Sequence, residues 1–481
     1  MCLLDLDLKR GAEIRMHLCL INPSNPLVSL AKVEESRWNR YRVWKPLSLL
    51  LLAGLTPAEW SITIIDENRG APDYASLPRP DLVGITAFTS QAPRAYSVAE
   101  EFRRRGVPVV MGGIHATMRT EEALERVDAV VTGEAENVWG MVLEDAKKGA
   151  LKRVYSGTEV EMDKVPLARH DLLSSGYHFG SIQTTRGCPL RCSFCSVPAF
   201  NGRVYRARPI EKVVEEFKSI QEKYVLIVDD NLIGIHKAHL DHAKDLFRAM
   251  IRANLGKYWI AQVSINVADD EELLRLAAKS GCIGVFIGFE SATEEGLKEI
   301  NKNFNFPKGR DFKDCVRRIQ RHGIVVAGSF IIGLDSDKKG IGRQIAAMAK
   351  QYGLDILNLL FLTPLPGTPL WQKMEAEGRI AANNFPEDWK YYTLTFPVAK
   401  YRHLSWADLI HEKDSCSQDF YSYSHIFRRM WVSLWPVPRM ALLLVGALSC
   451  RNNMRLEHKV YRGIGVGNVK RNWKENGPRG Q

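Results

Sequence analysis

The chain has 481 residues, 45% of them apolar and 25% charged, which suits two or three folded domains and excludes a wholly disordered protein. Nine cysteines over this length exclude a disulfide scaffold and favour reduced thiols in a cytoplasmic protein. Most of the net charge of +11 lies at one end, because residues 420–481 hold 11 Lys or Arg against 2 Asp or Glu. Nucleic-acid binding is therefore not expected.

The N-terminal sequence MCLLDLDLKRGAEIRMHLCLI lacks the basic-then-apolar order of a signal peptide. No uninterrupted apolar run reaches the roughly 18 to 20 residues that span a bilayer. The expected location is the cytoplasm, with peripheral contact at the inner face of the membrane left open.

Residues 1–150 predict a doubly wound, Rossmann-like parallel sheet. Short runs that are apolar on both faces, as buried parallel strands are, alternate with segments of helical spacing. The runs are IRMHLCLI, SITIID, DLVGITAF, VPVVMGG and DAVVTG, and the helical segments are KPLSLLLLAGL, APRAYSVAEEFRRRG and TEEALERV. The ligand of such a fold lies beyond the carboxyl ends of the strands.

Residues 151–178 are polar, with little periodicity, and predict a linker. Residues 179–375 then repeat the alternation on a larger scale, which predicts a partial (β/α)6 barrel. Its strands are SIQTT, YVLIVDD, YWIAQVSIN, GVFIGFES, VVAGSFIIGL and ILNLLFLTPL. Helices such as PIEKVVEEFKSIQ, DEELLRLAAKSG and DFKDCVRRIQRHG separate them.

Residues 376–481 predict an α-rich C-terminal region, a candidate substrate cap followed by a basic tail. Two interpretations of FYSYSHIFRRMWVSLWPVPRMALLLVGALSC stay open. The favoured one is a helix that packs on the barrel. The other is a basic, Trp-rich segment that lies in a membrane interface, since its apolar run is too short to span a membrane.

The stretch TTRGCPLRCSFCS places Cys188, Cys192 and Cys195 in a loop after the first barrel strand. An iron–sulfur cubane takes four thiolates, so three leave one iron open, and catalysis requires an open coordination site. A structural zinc site would need a fourth Cys or His at short spacing, and none follows. Three unconnected core cysteines are disfavoured, because Gly187 and its neighbours mark a tight exposed loop.

This CxxxCxxC loop resembles the radical S-adenosylmethionine (SAM) superfamily. In that family the three cysteines hold a 4Fe-4S cluster, SAM chelates the open iron, and one electron cleaves SAM to a 5′-deoxyadenosyl radical. The resemblance implies further SAM contacts at the carboxyl ends of the strands. They are Phe194, Asp229 and Asp230 (the latter favoured for the amino group), Gln262, Ser264, Glu290 for the ribose, and Gly328 and Gly333 beside the adenine. The two glycines are spaced one residue wider than the usual family pattern.

A doubly wound domain before such a barrel resembles the cobalamin-binding subclass. The motifs that carry this resemblance are GITAFTS, GGIHAT and GEAEN, which follow the third, fourth and fifth predicted strands. They imply cobalamin contacts from Thr86, Ser90, Gly112, Gly113, His115, Gly133 and Glu134. The signature Asp-x-His-x-x-Gly is absent, so we do not expect a histidine, His115 included, to ligate the cobalt.

The resemblance implies a radical SAM C-methyltransferase with a 4Fe-4S cluster, SAM and cobalamin as cofactors. One SAM would methylate reduced cobalamin, a second would yield the radical, and the substrate radical would take the methyl group. A related enzyme that performs a cyclisation, rearrangement or carbon–carbon coupling is the first alternative. A non-catalytic cobalamin or SAM sensor is an alternative of another class.

The expected partners are a small-molecule substrate and a flavodoxin or ferredoxin that supplies single electrons. Members of the subclass that this chain resembles modify hopanoid and other lipids, tetrapyrroles, antibiotics and peptides. The aromatic, basic C-terminal region favours a lipid or other hydrophobic substrate.

Overall fold

The computed structural model describes residues 16–25, 27, 43–70, 72–173, 176–305, 310–432 and 437–463. Two six-stranded sheets, each with all strands parallel, dominate the fold, and a short antiparallel hairpin lies after the first strand of the second sheet. This arrangement confirms the predicted α/β class. The predictions for residues 1–15, for four of the nine residues of NPSNPLVSL and for residues 464–481 lie outside the described residues.

The strands of the first sheet are β1 (Met16–Asn22), β2 (Trp60–Asp66), β3 (Leu82–Thr86), β4 (Val109–Gly112), β5 (Ala129–Thr132) and β6 (Val154–Ser156). The strands of the hairpin and second sheet are β7 (Phe179–Ile182), β8 (Thr185–Arg186), β9 (Arg206–Ala207), β10 (Tyr224–Ile227), β11 (Tyr258–Val263), β12 (Cys282–Glu290), β13 (Val325–Ile332) and β14 (Ile356–Phe361).

The helices that accompany the first sheet are α1 (Leu47–Leu55), α2 (Ala92–Arg104), α3 (Gly113–Met118), α4 (Thr120–Leu124) and α5 (Trp139–Lys147). Those of the barrel are α6 (Val197–Phe200), α7 (Ile210–Ser219), α8 (Lys237–Arg252), α9 (Glu271–Lys279), α10 (Glu294–Glu299), α11 (Phe312–Arg321), α12 (Ile341–Tyr352) and α13 (Pro369–Ala376). The C-terminal helices are α14 (Trp406–Phe420), α15 (Tyr423–Val432) and α16 (Val437–Gly463).

The first sheet has the order β2-β1-β3-β4-β5-β6. The strand order therefore reverses between β1 and β3, and ligands of open α/β sheets bind at such a point. The segment 154–156, which the sequence predicts as part of a linker, instead pairs with β5 as an edge strand. Only Tyr155 of its three residues is buried, so the strand is too short to show a period in the sequence.

The second sheet has the order β14-β13-β12-β11-β10-β7 and curves into a partial barrel. Its outward side chains pack against the helices as the main hydrophobic core. At the open edge, the backbone of Trp44 forms a parallel bridge to Phe179. The segment that precedes α1 thus joins the first domain to the first strand of the barrel.

Helix α16 lies against β12, β13 and β14. Leu442 packs on Gly284, where a Cβ would lie 3.2 Å from Leu442 Cδ2, and Gly446 packs on Ile356. The packing of a C-terminal helix on the barrel, the favoured interpretation of the tail, is therefore observed. Among the described residues, no helix combines the length and apolar character that crossing a membrane requires.

Candidate functional site

The loop with the three cysteines begins on a residue that must be glycine. Gly187 has a φ of +84°, and a Cβ there would lie 2.1 Å from the carbonyl oxygen of Val204. Its amide donates to Asp230 Oδ2 at 3.0 Å. The hairpin β8–β9 and the end of β10 thereby fix where the loop starts.

Backbone bonds hold the rest of the loop. The amide of Ser193 donates to the carbonyl of Ile300 at 3.0 Å, and the carbonyl of Ser193 accepts from the amide of Leu370 at 2.9 Å. Asn301 Nδ2 donates to the carbonyl of Arg191 at 2.8 Å. The loop is therefore anchored to the segment after α10 and to the start of α13 before any cofactor binds.

The three thiols suit a cluster rather than a single ion. All are free, and burial raises the pKa of each, that of Cys195 to about 12, so thiolates there need a strong positive centre. Among the described residues, no three His, Cys, Asp or Glu side chains converge around one metal position. In a cubane each thiolate binds a different iron, so three thiols on one anchored loop fit that group.

Lys302 lies beside the cysteines and was not identified from the sequence. Its Nζ is 3.2 Å from Glu290 Oε1. Burial alone would lower the pKa of Lys302, but the negative charges of Glu290, Cys192 and Cys195 outweigh burial and raise it. The residue stands alone in the polar stretch INKNFNF, where no pattern in the sequence distinguishes it.

Glu290 ends β12 in a left-handed conformation, with a φ of +69°, beside Lys302. Phe194 is partly buried and packs against the hydrophobic core of the barrel. Gln262 is exposed on the inner face of the sheet, and Ser264 Oγ accepts from Asn231 Nδ2 at 2.8 Å.

The two aspartates after β10 have different surroundings. Asp229 is fully buried, and its carboxylate accepts from the Thr184 amide at 2.6 Å and from the hydroxyls of Thr184 and Thr185. Its oxygens are thus taken up by the β7–β8 connection, contrary to the role expected of it. Asp230 accepts from Asn201 Nδ2 at 3.0 Å and lines the cavity described below.

The two glycines predicted beside the adenine are explained by packing. A Cβ at Gly328 would lie 2.3 Å from Leu354 Cδ1 on the helix side of β13. A Cβ at Gly333, whose φ is +103°, would lie 2.8 Å from the ring of Tyr401. The space in front of both glycines is therefore filled by the protein itself.

The β8–β9 hairpin, with the cysteine loop between its strands, is called the cysteine hairpin below. A cavity of about 550 Å³ lies between this hairpin and the carboxyl ends of β1, β3, β4 and β5. Five of the residues predicted to bind cobalamin line it, namely Thr86, Gly112, Gly113, Gly133 and Glu134. Gly113 and Gly133 have positive φ angles, of +87° and +67°, which a turn at the strand ends requires.

Ser90 and His115 are not among the residues that line this cavity. The carbonyl of Ser90 accepts from Asn25 Nδ2 at 2.9 Å. His115 is wholly buried on α3, where its Nε2 lies 2.8 Å from the hydroxyl of Tyr96 and its ring packs edge-on against Trp389. The helix that begins at Gly113 carries His115 away from this cavity, so a contact between His115 and the cofactor stays a prediction that the geometry does not support.

The carboxylate of Glu134 is also not a free acceptor. Arg186 and Arg206 both pair with it, and the amide of Val160 donates to its Oε2 at 2.8 Å. Burial alone would raise the pKa of Glu134, but these donors outweigh burial, and the net effect is a lowered pKa. Glu134 therefore connects the first domain to the cysteine hairpin.

The cavity suits an amide-rich cofactor without a histidine ligand. Side-chain amides line it, including those of Asn22, Gln91 and Gln183, and α1 gives it an apolar wall. Among the described residues that line it, there is no histidine, cysteine or methionine. The donors and acceptors there fit the amide side chains of a corrin.

Comparisons with known proteins agree with both halves of the site. The family model of the radical SAM superfamily matches residues 182–340, and that of the B12 binding domain matches residues 39–142. The chain is 29% identical to a bacteriochlorophyllide d C-12(1)-methyltransferase of Chlorobaculum tepidum, over 80% of this chain and 84% of the relative. It is 30% identical to an uncharacterised methyltransferase of Pyrococcus horikoshii, over 75% of this chain and 84% of the relative.

A solved structure shares the fold over almost the whole chain. It is that of TsrM, a radical SAM methyltransferase from Kitasatospora setae, with cobalamin and a 4Fe-4S cluster bound. The TM-score is 0.66 at 17% identity, over 94% of this chain and 100% of that chain.

Proposed function

This chain belongs to the radical SAM methyltransferases that carry a cobalamin-binding domain, and we propose that it methylates an unactivated carbon of an uncharged, hydrophobic substrate. Its cofactors are a 4Fe-4S cluster, SAM and cobalamin. When bound, they supply an adenosyl radical that activates the substrate and a methyl group that replaces the abstracted hydrogen. The inner face of the barrel carries the proposal about the substrate.

That inner face is open. Side chains alternate along each strand, so Leu226, Ile260 and Phe286 point inward while their neighbours join the core against the helices. Phe286 is 39% exposed in the middle of β12, and Gln262 and Asn358 are also exposed. Exposed side chains at mid-strand indicate a concave space that can accept a ligand.

The strands that line the space are almost free of charge. Apart from Glu290 at the end of β12, strands β7 and β10–β14 contain no Asp, Glu, Lys or Arg. The polar groups that face inward are neutral, namely Gln262 and the pair Ser329 and Asn358, which lie 3.4 Å apart. Because a buried charge without a partner is costly, the part of the substrate that enters should be uncharged and mostly apolar.

A helix and two aromatic rings lie at the amino-terminal end of the space. Helix α16 covers β12 to β14, and the rings of Tyr224 and Tyr258 stack at 5.8 Å where β10 and β11 begin. The open end is the one that carries the cysteine loop. A substrate held there would be shielded from water, as radical chemistry requires.

We infer roles for the residues at the open end. Cys188, Cys192 and Cys195 would hold the cluster, and Lys302 would offer a buried positive charge to the carboxylate of SAM. Glu290 would orient Lys302 and accept from the ribose. These roles rest on burial, charge and position within one small region.

The experiment uses the anaerobically purified protein, loaded with cobalamin and cluster, a low-potential one-electron reductant, and SAM with a CD3 methyl group. The protein is incubated separately with a solvent extract and an aqueous extract of the source cells. We expect a CD3-labelled product from the solvent extract, together with S-adenosylhomocysteine. Label confined to charged metabolites of the aqueous extract would contradict the hydrophobic substrate, and 5′-deoxyadenosine without S-adenosylhomocysteine would favour cyclisation or rearrangement.

A pair of variants tests the inner face directly. Phe286→Arg introduces a charge into the space and should abolish product while SAM cleavage continues. Phe427→Arg is the matched control, because Phe427 is 68% exposed on α15. Equal product from both variants would show that the substrate binds elsewhere.

A further inference from the structure

Arg186 connects the two halves of the site. It ends β8, two residues before Cys188, and its side chain is only 8% exposed. Its Nη1 lies 3.1 Å from Glu134 Oε2, and its Nη2 pairs with Glu136. Both glutamates belong to the turn after β5, so Arg186 joins the cysteine loop to a turn that lines the cobalamin cavity.

The guanidinium is held in one orientation. Its Nε donates to Gln183 Oε1 at 2.7 Å, from the residue that follows β7 by one position. Three planar donors in fixed directions specify a position more sharply than the single ammonium of a lysine could. The geometry therefore depends on arginine and not only on a positive charge.

A second arginine keeps the turn in place independently. Arg206 pairs directly opposite Arg186 in the hairpin, and its guanidinium also binds Glu134. Its Nη1 donates to the carbonyl of Val160 at 2.9 Å. A change at Arg186 would thus leave Glu134 paired, and the domain contact should survive it.

We propose that Arg186 is a positioning residue that sets the distance and orientation between the cluster and cobalamin. The inference rests on the proposed function, since only a reaction that uses both cofactors on one substrate needs a fixed distance between them. Displacement by about 1 Å can cost roughly 100-fold in rate when reacting groups must be aligned. Because Arg186 lies two residues before Cys188, a shift of its backbone also shifts that cluster ligand.

The first test measures coupling in the full-length holoenzyme. Arg186→Lys and Arg186→Gln should keep iron and cobalt, while 5′-deoxyadenosine formed per methylated product rises about 10-fold or more. Arg186→Lys should also keep the melting temperature, whereas Arg186→Gln should lower it, because it leaves the carboxylate of Glu136 without a cation. Arg203→Gln is the control, because Arg203 is exposed in the same hairpin. If both products fall in parallel at an unchanged ratio, Arg186 is merely structural and the proposal is overturned.

The second test does not depend on methylation. Pulsed EPR of the reduced cluster and cob(II)alamin gives the distribution of distances between them. We expect a narrow distribution in the parent protein and a broader or shifted one in Arg186→Lys. An unchanged distance distribution in Arg186→Lys overturns the proposal. If the distribution broadens but the parent protein makes no methylated product, the positioning role of Arg186 is supported and the proposed function is refuted. Should the Arg186 variants lose a cofactor, Glu136→Gln removes one partner of Arg186 and is expected to broaden the distribution in the same way.

Discussion

Trp389 joins the C-terminal region to the first domain, and its truncation should release that contact. The side chain is fully buried, and its ring stacks on Phe385 with centroids 3.7 Å apart. Its Nε1 donates to Glu122 Oε1 at 2.9 Å, and His115 packs edge-on against the ring. Trp389→Ala removes all of these contacts at once.

The cost of this substitution follows from burial. Truncating a buried tryptophan to alanine costs about 3 to 5 kcal/mol. Glu122 keeps Tyr96 and His115 as partners, so the lost hydrogen bond adds little beyond that range. A value of about 4 kcal/mol corresponds to roughly a 1,000-fold greater opening of the contact.

Hydrogen exchange of the amides in residues 382–398 measures that opening. Trp389→Ala should speed their exchange roughly 1,000-fold, while the amides of β12 and β13 stay protected. Trp389→Phe keeps a stacking ring but loses the hydrogen bond, so about 10-fold is expected. Exchange in Trp389→Ala equal to that of the parent would refute the view that this ring holds the two regions together.

Three further predictions concern the cofactors and pH. Cys192→Ala should lose cluster iron and all 5′-deoxyadenosine formation while the circular dichroism spectrum stays the same; residual cleavage would contradict the cluster assignment. Bound cob(II)alamin should show no nitrogen splitting from a histidine in its EPR spectrum; a splitting that disappears in His115→Phe would show that His115 ligates the cobalt and would contradict this expectation. Burial raises the pKa of Asp229 from 3.8 to about 6, so the folded protein binds more protons than the unfolded chain between these values, and this carboxyl's contribution to stability falls as pH rises through them. The melting temperature of Asp229→Asn relative to the parent should therefore increase from pH 5 to pH 7, and a constant difference would contradict this sign.

The sequence indicates which segments form the two sheets, because the buried strands are apolar on both faces. It does not decide the direction of each polar residue at a strand end. Asp229 and Asp230 cannot be distinguished by residue type, but in the loop after β10 the first points to Thr184 and Thr185 and the second to the cavity. Alternation along β13 turns the Cβ position of Gly328 toward the helices. Lys302 lies in a stretch with no sequence pattern that indicates a functional residue.

His115 shows a second limit of sequence reasoning. It follows the glycines that end β4, a position that suggests a ligand contact. A helix begins at Gly113, however, and carries the imidazole to Tyr96 and Trp389. The aromatic segment that receives it lies more than 260 residues later, and no local pattern could reveal that contact.

The contact between the cysteine hairpin and the first domain is formed by buried charged side chains, where apolar side chains would be more common. Arg186, Arg206, Glu134 and Glu136 are each 13% exposed or less in their side chains. Burying paired charges contributes little net stability and often less than apolar side chains of the same size would. What such pairs supply is direction, since the N–H groups of a guanidinium donate to a carboxylate in few orientations. An interface selected only for stability would not need them, whereas one that must hold two cofactors at a fixed distance would.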